Sequence, residues 1–209
     1  MKLLYRIQWQ LYRLFARSYF RLSVRGWERI PSTGAVLIAA NHSSFLDPPL
    51  VGLGVHRQIA TLAKEELFAI PILGRWIHSL GVRPIARGQG DIKAVRLAMR
   101  LLHEGNALLI FPEGTRSPDG VIQPFENGLA WLSIKTQTPV VPIYIDGAFR
   151  AMPKHAWFPW PVKIRMMIGE PIQPESTQTD SGAVEQFSDQ IQKEMLALKQ
   201  ILEEECAGK

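Results

Sequence analysis

The first 27 residues contain no acid. Lys2, Arg6, Arg13, Arg17, Arg21 and Arg25 all precede Glu28 and carry +6, against a net charge of +5 for all 209 residues, so the rest of the chain sums to −1. The basicity therefore belongs to one end. A nucleic-acid binder needs its positive charge on the folded body, and that class is disfavoured. Cysteine is nearly absent too. Cys206 stands alone, so no internal disulfide forms and an oxidising compartment gains no support. No His/Cys group has the spacing of zinc ligands, and no structural zinc is expected. No apolar run approaches the ~20 residues that span a bilayer. Arginines and glutamines break up the N-terminus, so it has no continuous signal-peptide core. Repeats and low-complexity stretches are missing as well.

What is present is long enough for one sizeable domain with a real core. Placed at helical spacing, residues 2–22 put Lys2, Arg6, Arg13 and Arg17 in one narrow arc. Leu4, Ile7, Leu11, Leu14, Phe15 and Leu22 fall on the far side, flanked by Trp9, Tyr5, Tyr12 and Tyr19. An apolar stripe, an arginine face and aromatic borders suit a helix lying in a membrane interface. A helix packed on its own domain with its arginines in water is the alternative. Residues 1–26 are accordingly expected to form a basic amphipathic membrane segment, and 27–209 the main domain.

Beyond it, "GAVLIAA", "IATLAK" (59–64), "NALLIF", "PVVPIYIDG" and "VKIRMMIGEPI" read as strands. Helices are expected over 65–81, interrupted near Pro71, over 91–105 with a glycine stop, over "ENGLAWLSIKTQ", and over a terminal stretch striped by Val184, Phe187, Ile191, Met195, Leu198 and Leu202. Strands alternating with helices imply a single α/β domain, with functional groups at strand ends.

The stretch "NHSSFLDPP" (41–49) follows the first of these strands. A polar turn closed by proline is one reading. A base, His42, with Asp47 as its orienting carboxylate is the other. Asp47 also suits an N-cap before Pro48, and both roles can hold together. No "GxSxG" elbow accompanies the histidine, so Ser43 and Ser44 read as loop formers and the base would act on an external hydroxyl. A second cluster is "FPEGTRS" (111–117). Arg116 offers a planar fork for phosphate, Gly114 permits close backbone approach, and Glu113 could hold Arg116 or a substrate hydroxyl. A β-turn with a surface ion pair fits the same residues. A third cluster, "GVRPIAR", holds Arg83 and Arg87, another possible phosphate clamp.

"NHSSFLD" resembles the Asn-His-x-x-x-x-Asp block of the glycerolipid acyltransferase family. "KEELFAIPILGRWIHSLGVRPIAR", "FPEGTRS" and "VVPIYIDG" are similar to its three further blocks, in the family's order, across roughly residues 27–172. The resemblance implies a mixed central sheet flanked by helices. It implies that His42 is the general base, with Asp47 its partner, and that Arg87 and Arg116 bind the acceptor phosphate. Lys64, Glu113, Gly114 and Thr115 complete the substrate-binding set. It further implies acyl transfer from acyl-CoA or acyl carrier protein to lysophosphatidic acid, giving phosphatidic acid. Another lysophospholipid, glycerol 3-phosphate or an amino-lipid hydroxyl is the alternative acceptor. No metal or redox cofactor is implied, and the expected location is the cytoplasmic face of a membrane, peripheral or monotopic.

Overall fold

Five consecutive buried residues, Val36–Ala40, form the strand β2 at the centre of the sheet. Such an unbroken apolar run is what a strand covered on both faces requires. The computed structural model describes residues 3–71, 74–75, 77, 82–85 and 90–207, with the side chains of 3–9, 64, 85, 90–91 and 206–207 excepted. Its other strands are β1 (Ser23–Arg25), β3 (Ile59–Lys64), β4 (Val82–Ile85), β5 (Ala107–Ile110), β6 (Val140–Asp146) and β7 (Arg165–Ile168). The helices are α1 (Leu3–Tyr19), α2 (Asp47–Gly54), α3 (Gly90–His103), α4 (Gly128–Thr136), α5 (Ala148–Ala151) and α6 (Ser181–Ala207).

The strands form one sheet in the order β1-β7-β6-β2-β5-β3-β4. Pairing is parallel throughout except between β6 and β7, so the sheet is mixed, as expected. Alternation along β2 divides the core in two. Val36, Ile38 and Ala40 pack with α2, α5 and the end of α1, while Leu37 and Ala39 pack with α3, α4 and α6. All six stripe residues of the terminal helix are buried against that second face. The glycine stop of α3 also forms: Gly105 has φ +77°, and its N–H donates to Leu102 O at 2.8 Å.

Three elements differ from the sequence reading. The last strand is only Arg165–Ile168, followed by an isolated bridge between Val140 and Ile172. Residues 65–69 form a 3-10 turn, and much of 70–81 lies outside the described residues. Residues 23–25 join the sheet as its edge, and Arg25 pairs with Glu205 of α6. The N-terminal segment is therefore stitched to the body at its end.

The far end of α1 is turned as an interfacial helix requires. Ala16 and Phe20 are buried against the domain, whereas Leu11, Leu14 and Phe15 are exposed. The apolar stripe faces outward, opposite to the packed-helix alternative. Among the described residues, no helix is long and apolar enough to cross a membrane.

Candidate active site

The chain leaves β2 at Asn41, between the neighbouring strands β5 and β6. Asn41 is buried, and its side chain copies a strand partner. Its Nδ2–H donates to Ile145 O at 3.1 Å, and its Oδ1 accepts from Ile145 N at 2.7 Å. This two-point clasp fixes where the next residue, His42, begins.

His42 Nδ1 lies 2.9 Å from Asp47 Oδ2. The same oxygen accepts the backbone N–H groups of Ser43 and Ser44, each at 2.7 Å. Asp47 is fully buried, so its charge is held by these three donors in place of water. The carboxylate turns back towards the histidine: the three partners of Oδ2 all precede it in the chain, Oδ1 has none among the described residues, and the N-cap position falls on Leu46. The N-cap reading is therefore corrected. Pro48 and Pro49 follow Asp47 without N–H groups, so the first turn of α2 has fewer donors competing for that oxygen. With Nδ1–H committed to the carboxylate, Nε2 is left to exchange a proton. The Phe111 ring stacks on the imidazole at 4.0 Å and 20°, fixing its plane.

The "FPEGTRS" loop follows β5, the strand beside β2, and is tied to His42 by main-chain atoms. His42 N–H donates to Glu113 Oε1 at 2.6 Å, and Ser117 N–H donates to His42 O at 2.7 Å. The other Glu113 oxygen accepts Gln123 N–H at 2.8 Å. Both oxygens of Glu113 thus serve the backbone. The expected pairing with Arg116 does not form among the described residues, and both oxygens position the loop. Burial pushes the Glu113 carboxyl up from its ordinary range, against the opposing pull of those two amides.

Arg116 lies elsewhere. Its guanidinium sits 3.6 Å over the Phe45 ring, and its buried Nη1 has no partner among the described residues. Desolvation lowers its pKa, partly offset by Asp47. A cation held on an aromatic face with an unused donor is equipped for an anion. Gly114 (φ +67°) and Thr115 are exposed at the same turn. Lys64 ends β3 in register with Ile85 of β4, though its side chain is outside the described part. Arg87 and Gly81 also lie outside the described residues, and Arg83 is exposed on β4. Ser44 is a strut: its Oγ donates to Met152 O at 2.8 Å and accepts Leu46 N–H at 3.1 Å.

Sequence reasoning missed the parts played by Asn41, Phe45, Phe111 and Gln123. Three of them stand within the quoted motifs, but their partners at Ile145, Arg116 and His42 are set by strand order alone. A cavity of about 270 Å³, lined by Arg13, Arg17, Trp27, Leu53 and His56 among others, opens at the opposite end of α2 from Asp47 and belongs to no part of this site.

Residues 21–146, more than half the chain, match the acyltransferase family. The chain is 34 % identical over 139 residues to a chloroplastic 1-acyl-sn-glycerol-3-phosphate acyltransferase of Brassica napus, covering 65 % of this chain and 40 % of that protein. It is 34 % identical over 154 residues to the enzyme of that name from Pseudomonas aeruginosa, covering 71 % and 58 %. The crystal structure of the 1-acyl-sn-glycerophosphate acyltransferase of Thermotoga maritima superposes with a TM-score of 0.75 at 29 % identity, over 94 % of this chain and 80 % of that one. The chain spans about two fifths of the length of the two chloroplastic relatives it matches.

Proposed function

Because the chain belongs to the acyltransferase family, we propose that it moves a fatty acyl group from acyl-CoA or acyl carrier protein to the sn-2 hydroxyl of lysophosphatidic acid, giving phosphatidic acid. The observation that carries this reading is the contact of His42 Nδ1 with a buried Asp47 at 2.9 Å. Nε2 takes the hydroxyl proton as the oxygen attacks the thioester carbonyl. Asp47 stabilises the imidazolium that results. The tetrahedral adduct collapses, the C–S bond breaks, and the departing thiolate takes the proton back from Nε2. A positioned base of this kind contributes roughly 10²–10⁴-fold. Arg116 and Arg87 receive the acceptor phosphate, as the family motif implies, with Lys64 in support. Glu113 and Asn41 hold the His42 loop in place. No metal or redox group takes part in these steps.

The acceptor and product are lipids, and the outward face of α1 suits their location. Residues 1–26 lie on the membrane surface in this reading, peripheral or monotopic on the cytoplasmic side, with the body at 27–209. The test is product formation by purified protein from labelled acyl-CoA and lysophosphatidic acid in mixed micelles. His42→Ala should abolish turnover and leave liposome binding intact. Turnover retained in a clean preparation would sink the assigned base. Competition among lysophosphatidic acid, other lysophospholipids and glycerol 3-phosphate ranks the acceptors.

A further inference from the structure

Trp157, Phe158 and Trp160 are 91 %, 82 % and 69 % exposed. Three large aromatic side chains in four residues form an apolar patch that water disfavours. The loop carrying them is well held. Trp160 N–H donates to Ala151 O at 2.7 Å, Ala156 N–H to Pro153 O at 2.9 Å, and Val162 N–H to Trp160 O at 2.8 Å. The Tyr19 hydroxyl donates to Pro159 O at 2.9 Å. Tyr19 in turn stacks on Phe15 at 5.1 Å. The aromatic loop is thus joined through one tyrosine to the outward apolar face of α1.

Charge agrees with the packing. Residues 147–169 contain Arg150, Lys154, Lys163 and Arg165 and no acid. Asp146 pairs with both arginines, while Lys154 and Lys163 are exposed, three residues before Trp157 and three after Trp160. We propose that residues 157–160 are a second membrane anchor, which inserts Trp157, Phe158 and Trp160 into the headgroup–acyl boundary of an anionic bilayer next to α1. Tryptophan suits that depth, half apolar and half hydrogen-bonding, and lysines at its rim suit anionic headgroups.

The second anchor orients the catalytic edge. A single interfacial helix leaves the body free to tilt about it, and two separated attachments remove that freedom. The loop also follows β6, whose C-terminal end lies at the same edge of the sheet as His42. Ser44 is bonded to Met152 at 2.8 Å, five residues before Trp157. The inserted loop therefore holds the His42 segment near the surface where a lysolipid hydroxyl emerges.

This inference rests on the membrane reading above, and the experiment separates the two. The full chain, the triple variant W157S/F158S/W160S and the α1 variant L11S/L14S/F15S are cosedimented with equimolar phosphatidylcholine–phosphatidylglycerol vesicles. The loop variant should partition about 10- to 100-fold more weakly, because large apolar surfaces no longer leave water. Its melting temperature should not move, since the three side chains are exposed in the free protein. Turnover should fall on vesicle-borne lysophosphatidic acid and persist on a short-chain soluble analogue. If the loop variant binds like the parent while the α1 variant does not, α1 is the sole anchor and the proposal fails alone. Absence of vesicle binding by the parent overturns both readings. Self-association of the parent that the loop variant loses, with vesicle binding unchanged, assigns the patch to a second copy and also overturns it.

Discussion

Asp47→Asn isolates the charge of the carboxylate from its shape. In the native site one oxygen, Oδ2, accepts three N–H groups, from Ser43, Ser44 and His42. An asparagine must therefore point its Oδ1 at that position, because its NH₂ would face three donors. So oriented, it keeps both amides and the imidazole tautomer. Its NH₂ then takes the place of Oδ1, which is buried without a partner among the described residues. Only the negative charge facing the imidazolium is lost. At the observed 2.9 Å, a full pair at an effective dielectric of about 20 interacts by about 6 kcal/mol. If the proton is about half transferred in the transition state, about 3 kcal/mol of that attraction counts, which is a rate loss of about 10². The variant should fold, because removing a buried charge offsets part of what its charge-assisted bonds contributed. The assay is single-turnover acyl transfer from acyl-CoA to saturating lysophosphatidic acid, which isolates chemistry from product release. A loss of about 10² with a native melting profile is expected. A rate within about threefold of the parent would refute the electrostatic role argued from this geometry.

Four further outcomes follow from named contacts. Arg116→Ala should raise KM for lysophosphatidic acid about 10- to 100-fold through lost charged hydrogen bonds and leave a phosphate-free acceptor little changed; equal losses on both acceptors would contradict a phosphate role. Asn41→Ala strands the buried N–H and C=O of Ile145 and should lower unfolding free energy by about 2–5 kcal/mol in urea titration. Gly114→Ala forces a Cβ into the left-handed region and against the Glu126 carboxylate; about 1–2 kcal/mol of destabilisation is expected, read as a lower melting temperature. Glu113 holds its proton to higher pH in the folded protein than in the unfolded chain. The folded state thus binds more protons in that window, and the contribution of Glu113 to stability is lost as pH rises through it. Parent stability measured against Glu113→Gln should fall on going upward from the ordinary carboxyl range, and a flat difference would refute the shift.

Much of the scaffold was legible in sequence because its signals are local. Continuous apolar runs gave the central strands, a 3.6-residue stripe gave α6, and Gly105 ended α3 where a glycine stop was expected. The edge strand β1, three residues long and only partly buried, carries almost no periodic signal and exists because β7 offers it a partner. The sequence left two orientations of α1 open, the outward stripe of an interfacial helix and a packed helix. An amphipathic pattern shows that two faces differ, and packing at Ala16 and Phe20 decides which one meets the domain. The signal for the second anchor was in the sequence, since 147–169 repeats the acid-free, basic and aromatic composition of the N-terminus. Only the fold shows that Trp157, Phe158 and Trp160 are left outside and lie beside α1.

The same division runs through the site. His42 and Asp47 stand five residues apart, and their spacing, proline context and strand-end position were readable along the chain. Glu113 lies 71 residues from the histidine backbone it holds, and Asn41 lies 104 residues from Ile145. The sequence by itself determined the residue types, the order of the blocks and the class of chemistry they suit. The tertiary structure alone decided that Glu113 supports the histidine loop and not Arg116, because β5 and β6 flank β2 and parallel neighbours bring distant strand ends to one edge.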